Sequence, residues 1–181
     1  MFDGLAPAHE TVGLQRVLEE DAPPAVVASS DDSKVVGPAA RVLEFDTTEP
    51  QAGSFQRWSA TLVTELYGQV ELHRCYAKRV QSSPDVSVDG DRASRDGVIA
   101  MWFVCGDWSA DRGGGTVFCD DRGDAVICVS PRSGRLVLFD SSTGRYDLAP
   151  RRAGRESCFT LEYHFTRSAP RESRLLDSRS V

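Results

Sequence analysis

Asp89 and Arg155 are two side chains through which this 181-residue chain could hold a metal or an anion. A carboxylate ligates hard and borderline cations, and a guanidinium pairs bidentately with a carboxylate through its planar fork. Each residue also has an ordinary reading. Asp89 precedes Gly90, and Asp-Gly favours a turn. Arg155 ends the run Arg151-Arg152-Ala153-Gly154-Arg155, which reads equally as a solvated basic stretch. Asp91 adds an Asp-x-Asp pair with Asp89, a pattern suited to Mg²⁺ or Mn²⁺. Histidines are scarce: His9, His73 and His164. His73 stands three residues before Tyr76, so strand alternation puts the two on opposite faces. The five cysteines (Cys75, Cys105, Cys119, Cys128 and Cys158) show no CxxC spacing and lie in or beside apolar segments. That argues against a zinc site or a disulfide framework, and fits buried thiols in a reducing compartment. No Cys-His pattern points to a nucleophile.

The elements that must position these groups follow from periodicity. Residues 11–20 predict a short amphipathic helix, with Thr11 as N-cap and Leu14, Val17 and Leu18 on one side. Residues 21–53 are rich in Pro, Ala, Ser and Asp and read as a flexible segment, with 41–45 available as an edge strand. Ser54 is placed to cap a helix running to Tyr67, its stripe formed by Phe55, Trp58, Leu62 and Leu66. Beyond Gly68 come seven short strands, at 70–78, 97–104, 116–119, 125–129, 135–139, 145–148 and 157–165. Turn formers such as Asp96-Gly97, Arg122-Gly123 and Ser133-Gly134 separate them. Seven strands without intervening helices predict a mainly β domain. The expected fold is a double-stranded β-helix, or jelly roll, braced by one or two N-terminal helices.

The length suits one domain with a real core. The expected organisation is an N-terminal helix and flexible segment over 1–53, a barrel over 54–165 and a polar tail over 166–181. A net charge of −6 argues against a nucleic-acid or acidic-membrane partner. No apolar run approaches a membrane span, and the N-terminus lacks signal-peptide features, so the expected location is cytoplasmic or nuclear.

The order of short motifs says more than any one of them. Cys75-Tyr76 closes one strand, and Ser87-Val88-Asp89 follows. Then come the apolar strand 98–104, Asp107-Trp108, the glycines 113–115, the segment Pro131-Arg132-Ser133-Gly134-Arg135-Leu136-Val137-Leu138-Phe139, Leu148-Ala149-Pro150 and Arg155. Over residues 75–165 this order resembles the prolyl-hydroxylase branch of the 2-oxoglutarate/Fe(II) dioxygenases. The likeness is greatest to the type that hydroxylates hypoxia-inducible factor. The resemblance implies Fe(II) and 2-oxoglutarate as cofactors, with ascorbate as a further one, and a peptide or protein as substrate. It assigns Arg155 and Tyr76 to 2-oxoglutarate and Asp89 to the metal. It also exposes two departures: Ser87 and Tyr146 stand where the family has its two His ligands. A serine is a poor Fe(II) ligand, and a phenol of pKa about 10 ionises only under a strong electrostatic push. The implied function is a dioxygenase-like protein of the prolyl-hydroxylase type. The alternative is a pseudoenzyme that binds a peptide or small carboxylate in the barrel groove.

Overall fold

Pro7 marks where the first helix begins. The computed structural model describes residues 1–21, 42–44, 50–80, 97–106, 108, 115–120, 122, 124–141, 146–148 and 158–167. Helix α1 spans Ala8–Asp21, and the Pro7 carbonyl accepts the amides of Glu10 and Thr11 at 3.0 and 3.2 Å. Thr11 is therefore not the cap that its sequence position suggests. It is buried inside the first turns, and its hydroxyl donates back to the Pro7 carbonyl at 3.4 Å. Thr11, Leu14 and Leu18 form the buried stripe of α1.

Helix α2 spans Pro50–Tyr67, starting four residues before Ser54. Proline tolerates the first turn because its missing N–H has no intrahelical partner there. The stripe is also rotated from the expected one. Phe55, Ser59 and Val63 are fully buried, Trp58 and Leu62 are half-buried, and Leu66 is 58% exposed. A hydrogen bond explains the rotation: the Trp102 indole N–H, from the sheet below, donates to Ser59 Oγ at 2.8 Å. Ser59 in turn donates to the Phe55 carbonyl at 2.7 Å.

The remaining elements are antiparallel strands in two sheets. Strands β1 (Val42–Glu44), β2 (Val70–Val80), β3 (Gly97–Cys105), β6 (Leu136–Asp140) and β8 (Cys158–Arg167) form the larger, in the order β1-β2-β8-β3-β6. Strands β4 (Thr116–Cys119), β5 (Ala125–Val129) and β7 (Tyr146–Leu148) form the smaller, in the order β5-β4-β7. This two-sheet architecture is the expected jelly roll with two helices on its outer side.

Strand β3 shows how the layers are organised. All nine of its residues are buried, because both faces are covered. Val98, Ala100, Trp102 and Val104 join the core beneath the helices, with Leu14, Leu18, Phe55 and Val63. Ile99, Met101, Phe103 and Cys105 face the other way, into a second core with Val129, Val137 and Cys158. Phe118 of β4 and Phe139 of β6 meet edge-to-face across this second core at 4.9 Å.

Close approaches govern two glycines. A Cβ on Gly115 would stand 2.9 Å from the Val129 carbonyl, and Gly134 adopts φ +70° in the turn before β6. The N-terminus closes onto that same turn. Phe2 exchanges two backbone hydrogen bonds with Leu136, and Asp3 receives Arg135 Nε and Nη2 at 2.6 and 2.8 Å. No helix among the described residues is long and apolar enough to cross a membrane.

Candidate functional site

Charged and hydroxyl side chains converge on the barrel-facing side of β2 and β8. Tyr76 and Glu162 are direct cross-strand partners, and Lys78 pairs with Thr160 one step further along. Alternation therefore places Tyr76, Lys78, Thr160, Glu162 and His164 on one face. Cys75, Ala77, Phe159, Leu161 and Tyr163 take the other face and enter the helix-side core. A bulge shifts the register between Leu72 and Arg74, which makes His73 the extra residue. His73 is exposed there, on the strand that carries Tyr76 inward.

All five polar residues are buried. Glu162 and Thr160 are 0% exposed, Tyr76 1%, Lys78 2% and His164 7%. Side chains of this kind are almost never fully buried unless paired, and here the pairing is dense. Tyr76 Oη donates to Glu162 Oε2 at 2.7 Å. Lys78 Nζ lies 3.3 Å from the same oxygen and 3.2 Å from Oε1. Thr160 Oγ1 donates to Oε1 at 3.4 Å, and His164 Nε2 lies 3.4 Å from Oε2.

Cations also stack on the phenol of Tyr76. The Arg74 guanidinium carbon is 4.8 Å from the ring centroid and the Lys78 ammonium 5.0 Å, within cation–π range. The His164 ring lies 5.0 Å from the same centroid. Met101, an apolar residue of β3, is the cross-strand partner of Glu162 on its other side. The site is thus a buried carboxylate with a phenol and an ammonium on one flank and an aliphatic wall on the other.

Behind the cluster, on the helix side of β2, lies Cys75. Burial pushes its thiol up to about 12, a hydrogen bond with Tyr163 opposes the rise, and the Glu162 charge adds to it. Tyr163 is raised as well, by burial and by its contact with Cys75.

Of the residues singled out in the sequence, Tyr76 is in this cluster. Tyr146 opens β7, where its backbone pairs with Phe118 of the small sheet. Ser87, Asp89, Asp91 and Arg155 lie outside the described residues. Lys78, Thr160 and Glu162 are not among the residues the sequence points to, and His164 stands there only as one of three histidines. Their signal was there in Thr160-x-Glu162-x-His164, a polar alternation within an apolar strand. That pattern ordinarily marks a face turned to water. The partners that satisfy these groups, Tyr76 and Lys78, come from β2.

No protein-family model matches the chain. No curated protein matches it either. Solved structures do. A prolyl-4-hydroxylase from Pseudomonas putida aligns with a TM-score of 0.61 at 18% identity, covering 91% of this chain and 89% of that one. A Trichoplax adhaerens prolyl hydroxylase, in complex with a peptide fragment of the hypoxia-inducible factor oxygen degradation domain, aligns at 0.59 and 16% identity, covering 90% and 81%. HygX from Streptomyces hygroscopicus, with nickel and 2-oxoglutarate bound, aligns at 0.58 and 12% identity, covering 92% and 81%. At such identities the likeness is one of fold: the chain is built on the jelly roll of the prolyl hydroxylases and their 2-oxoglutarate/Fe(II) relatives.

Proposed function

We propose that this chain is a 2-oxoglutarate/Fe(II) dioxygenase-like protein of the prolyl-hydroxylase type, with a peptide or protein as its macromolecular ligand. One observation carries the reading: the match to prolyl hydroxylases runs through nine-tenths of the chain rather than through an isolated sheet. A soluble location in cytoplasm or nucleus accords with five cysteines of which three are buried and all are free. The T. adhaerens relative holds a peptide, which supports a peptide as the ligand class here.

The iron centre is another matter. Fe(II) in such enzymes takes two imidazoles and a carboxylate on one face. This sequence offers a hydroxyl at Ser87, a carboxylate at Asp89 and a phenol at Tyr146. Among the described residues no three His, Cys, Asp or Glu side chains gather as a metal site. The nearest approach is Glu162 with His164, and that carboxylate already accepts Tyr76 and Lys78. A hydroxyl and a neutral phenol in place of two imidazoles do not fit Fe(II).

This misfit favours a second reading, a pseudoenzyme that keeps the groove for an extended peptide or a small carboxylate. In that reading Arg155 is the anion-binding residue. The two readings separate in a thermal titration of the purified chain with Mn(II), a redox-stable stand-in for Fe(II), and with 2-oxoglutarate. A ligand of the folded state at 100 times its Kd adds about 2.7 kcal/mol. The donor chemistry predicts no shift with Mn(II) in the unmodified chain and a gain of metal binding in Ser87→His/Tyr146→His. A metal shift in the unmodified chain would instead support turnover. A shift with 2-oxoglutarate alone, abolished by Arg155→Ala, would establish the binding module.

A further inference from the structure

We propose that Tyr76 and Lys78 form a carboxylate receptor inside the barrel and that Glu162 is its built-in occupant. Both oxygens of the Glu162 carboxylate are engaged as those of a bound ligand would be. Tyr76 Oη donates to Oε2, Lys78 Nζ reaches both oxygens and Thr160 Oγ1 donates to Oε1, at 2.7 to 3.4 Å. The phenol and ammonium sit on β2, while the occupant arrives from β8, its direct cross-strand partner. The carboxylate is 0% exposed and the ammonium 2%, so recognition takes place away from water, where charge-assisted hydrogen bonds are strongest.

Fold stability alone does not demand this arrangement. A buried ion pair is often matched or bettered by apolar residues of similar volume. The wall beside it, Met101 with Ile99 and Phe103, is already apolar. The cluster therefore has the make-up of a carboxylate-binding site, with Glu162 as the carboxylate it holds. A free carboxylate that is to use Tyr76 must first displace Glu162.

Replacement by alanine makes the receptor testable. Glu162→Ala removes the γ-carbon and the carboxyl group, the atoms of one acetate, and leaves Lys78 without this counter-charge. Acetate should refill the gap. The readout is the thermal midpoint of the full chain against acetate, with acetamide as the neutral isostere. Expected results are a lowered midpoint for Glu162→Ala and a recovery of roughly 5–11 °C at 100 times the acetate Kd. Neither acetamide on this variant nor acetate on the unmodified chain should give that recovery. Lys78→Met/Glu162→Ala should also fail to respond.

Equal recovery by acetamide would mean simple cavity filling and would overturn the proposal. So would an acetate response that survives the loss of Lys78. If Glu162→Ala is too unstable to purify, its refolding yield from denaturant in acetate against acetamide makes the same comparison, and equal yields refute the receptor. The probe is acetate, with no metal and no 2-oxoglutarate. Failure here leaves the reading under Proposed function standing, and failure there leaves the receptor standing.

Discussion

Lys78 and Glu162 place two opposite charges where water does not reach, and such a pair makes asymmetric demands on substitution. Removing one partner takes away its half of the ion pair. Lys78→Met should cost about 3–5 kcal/mol, because the buried Glu162 carboxylate loses the ammonium it faces at 3.2 Å. Lys78→Met/Glu162→Leu should cost clearly less than the single change, since the double variant removes both charges of the pair. Chemical denaturation of Lys78→Met, Glu162→Leu and the double variant tests this, and a double loss equal to the sum of the singles would show the pair to be uncoupled. Cys75, on the other face of the same strand, governs a second response. Its folded pKa is raised to about 12 from the usual value near 9. Between those values the unfolded thiol releases its proton while the folded one keeps it. Stability is therefore intact below pH 9 and falls as pH climbs toward 12, by roughly 1.4 kcal/mol per pH unit for one thiol. Tyr163, also raised, steepens the loss above the ordinary tyrosine range. Cys75→Ala should flatten this alkaline limb by one proton in a stability-versus-pH series. Thiol labelling at pH 8 should reach exposed Cys128 while Cys75 stays protected.

Helix α2 is keyed to the sheet by the bond from the Trp102 indole to Ser59, and its loss should be felt across both elements. Ser59→Ala leaves a buried N–H unbonded and should cost about 1–3 kcal/mol in denaturant melts, whereas an exposed position such as Leu66→Ala should be nearly silent. This bond also explains which parts of the fold were legible in the sequence and which were not. Strand positions were readable because Gly-containing turns punctuate them and apolar residues fill them, as in Gly97–Cys105 and Leu136–Asp140. The rotation of α2 was not, because it depends on a tryptophan 43 residues further along. Likewise the cap at Ser54 looked complete from local chemistry, yet Pro50 starts the helix one turn earlier. Thr160, Glu162 and His164 had the alternation of a wetted strand. Partners for Glu162 come from β2, more than eighty residues away. Local pattern carries element type; partnership across the chain carries the site.

At the scale of the whole molecule, β3 belongs to both cores, since its alternate residues pack beneath the helices and between the sheets. The two cores should therefore melt together in one transition. In native-state hydrogen exchange the amides of β3 and β8 should be the last to open, near the global free energy, while the edge strand β5 exchanges early. Separate transitions for the two layers would contradict this shared-strand view. One consequence concerns the ribosome. The larger sheet seats β8 between β2 and β3, so the last of the described strands is the central one. During synthesis β2 and β3 emerge with their inner edges bare and must wait for β8. Closing loops of that length is entropically slow. Nascent copies thus carry adhesive edges until β8 is made, and this chain should depend on chaperones far more before β8 docks than afterwards.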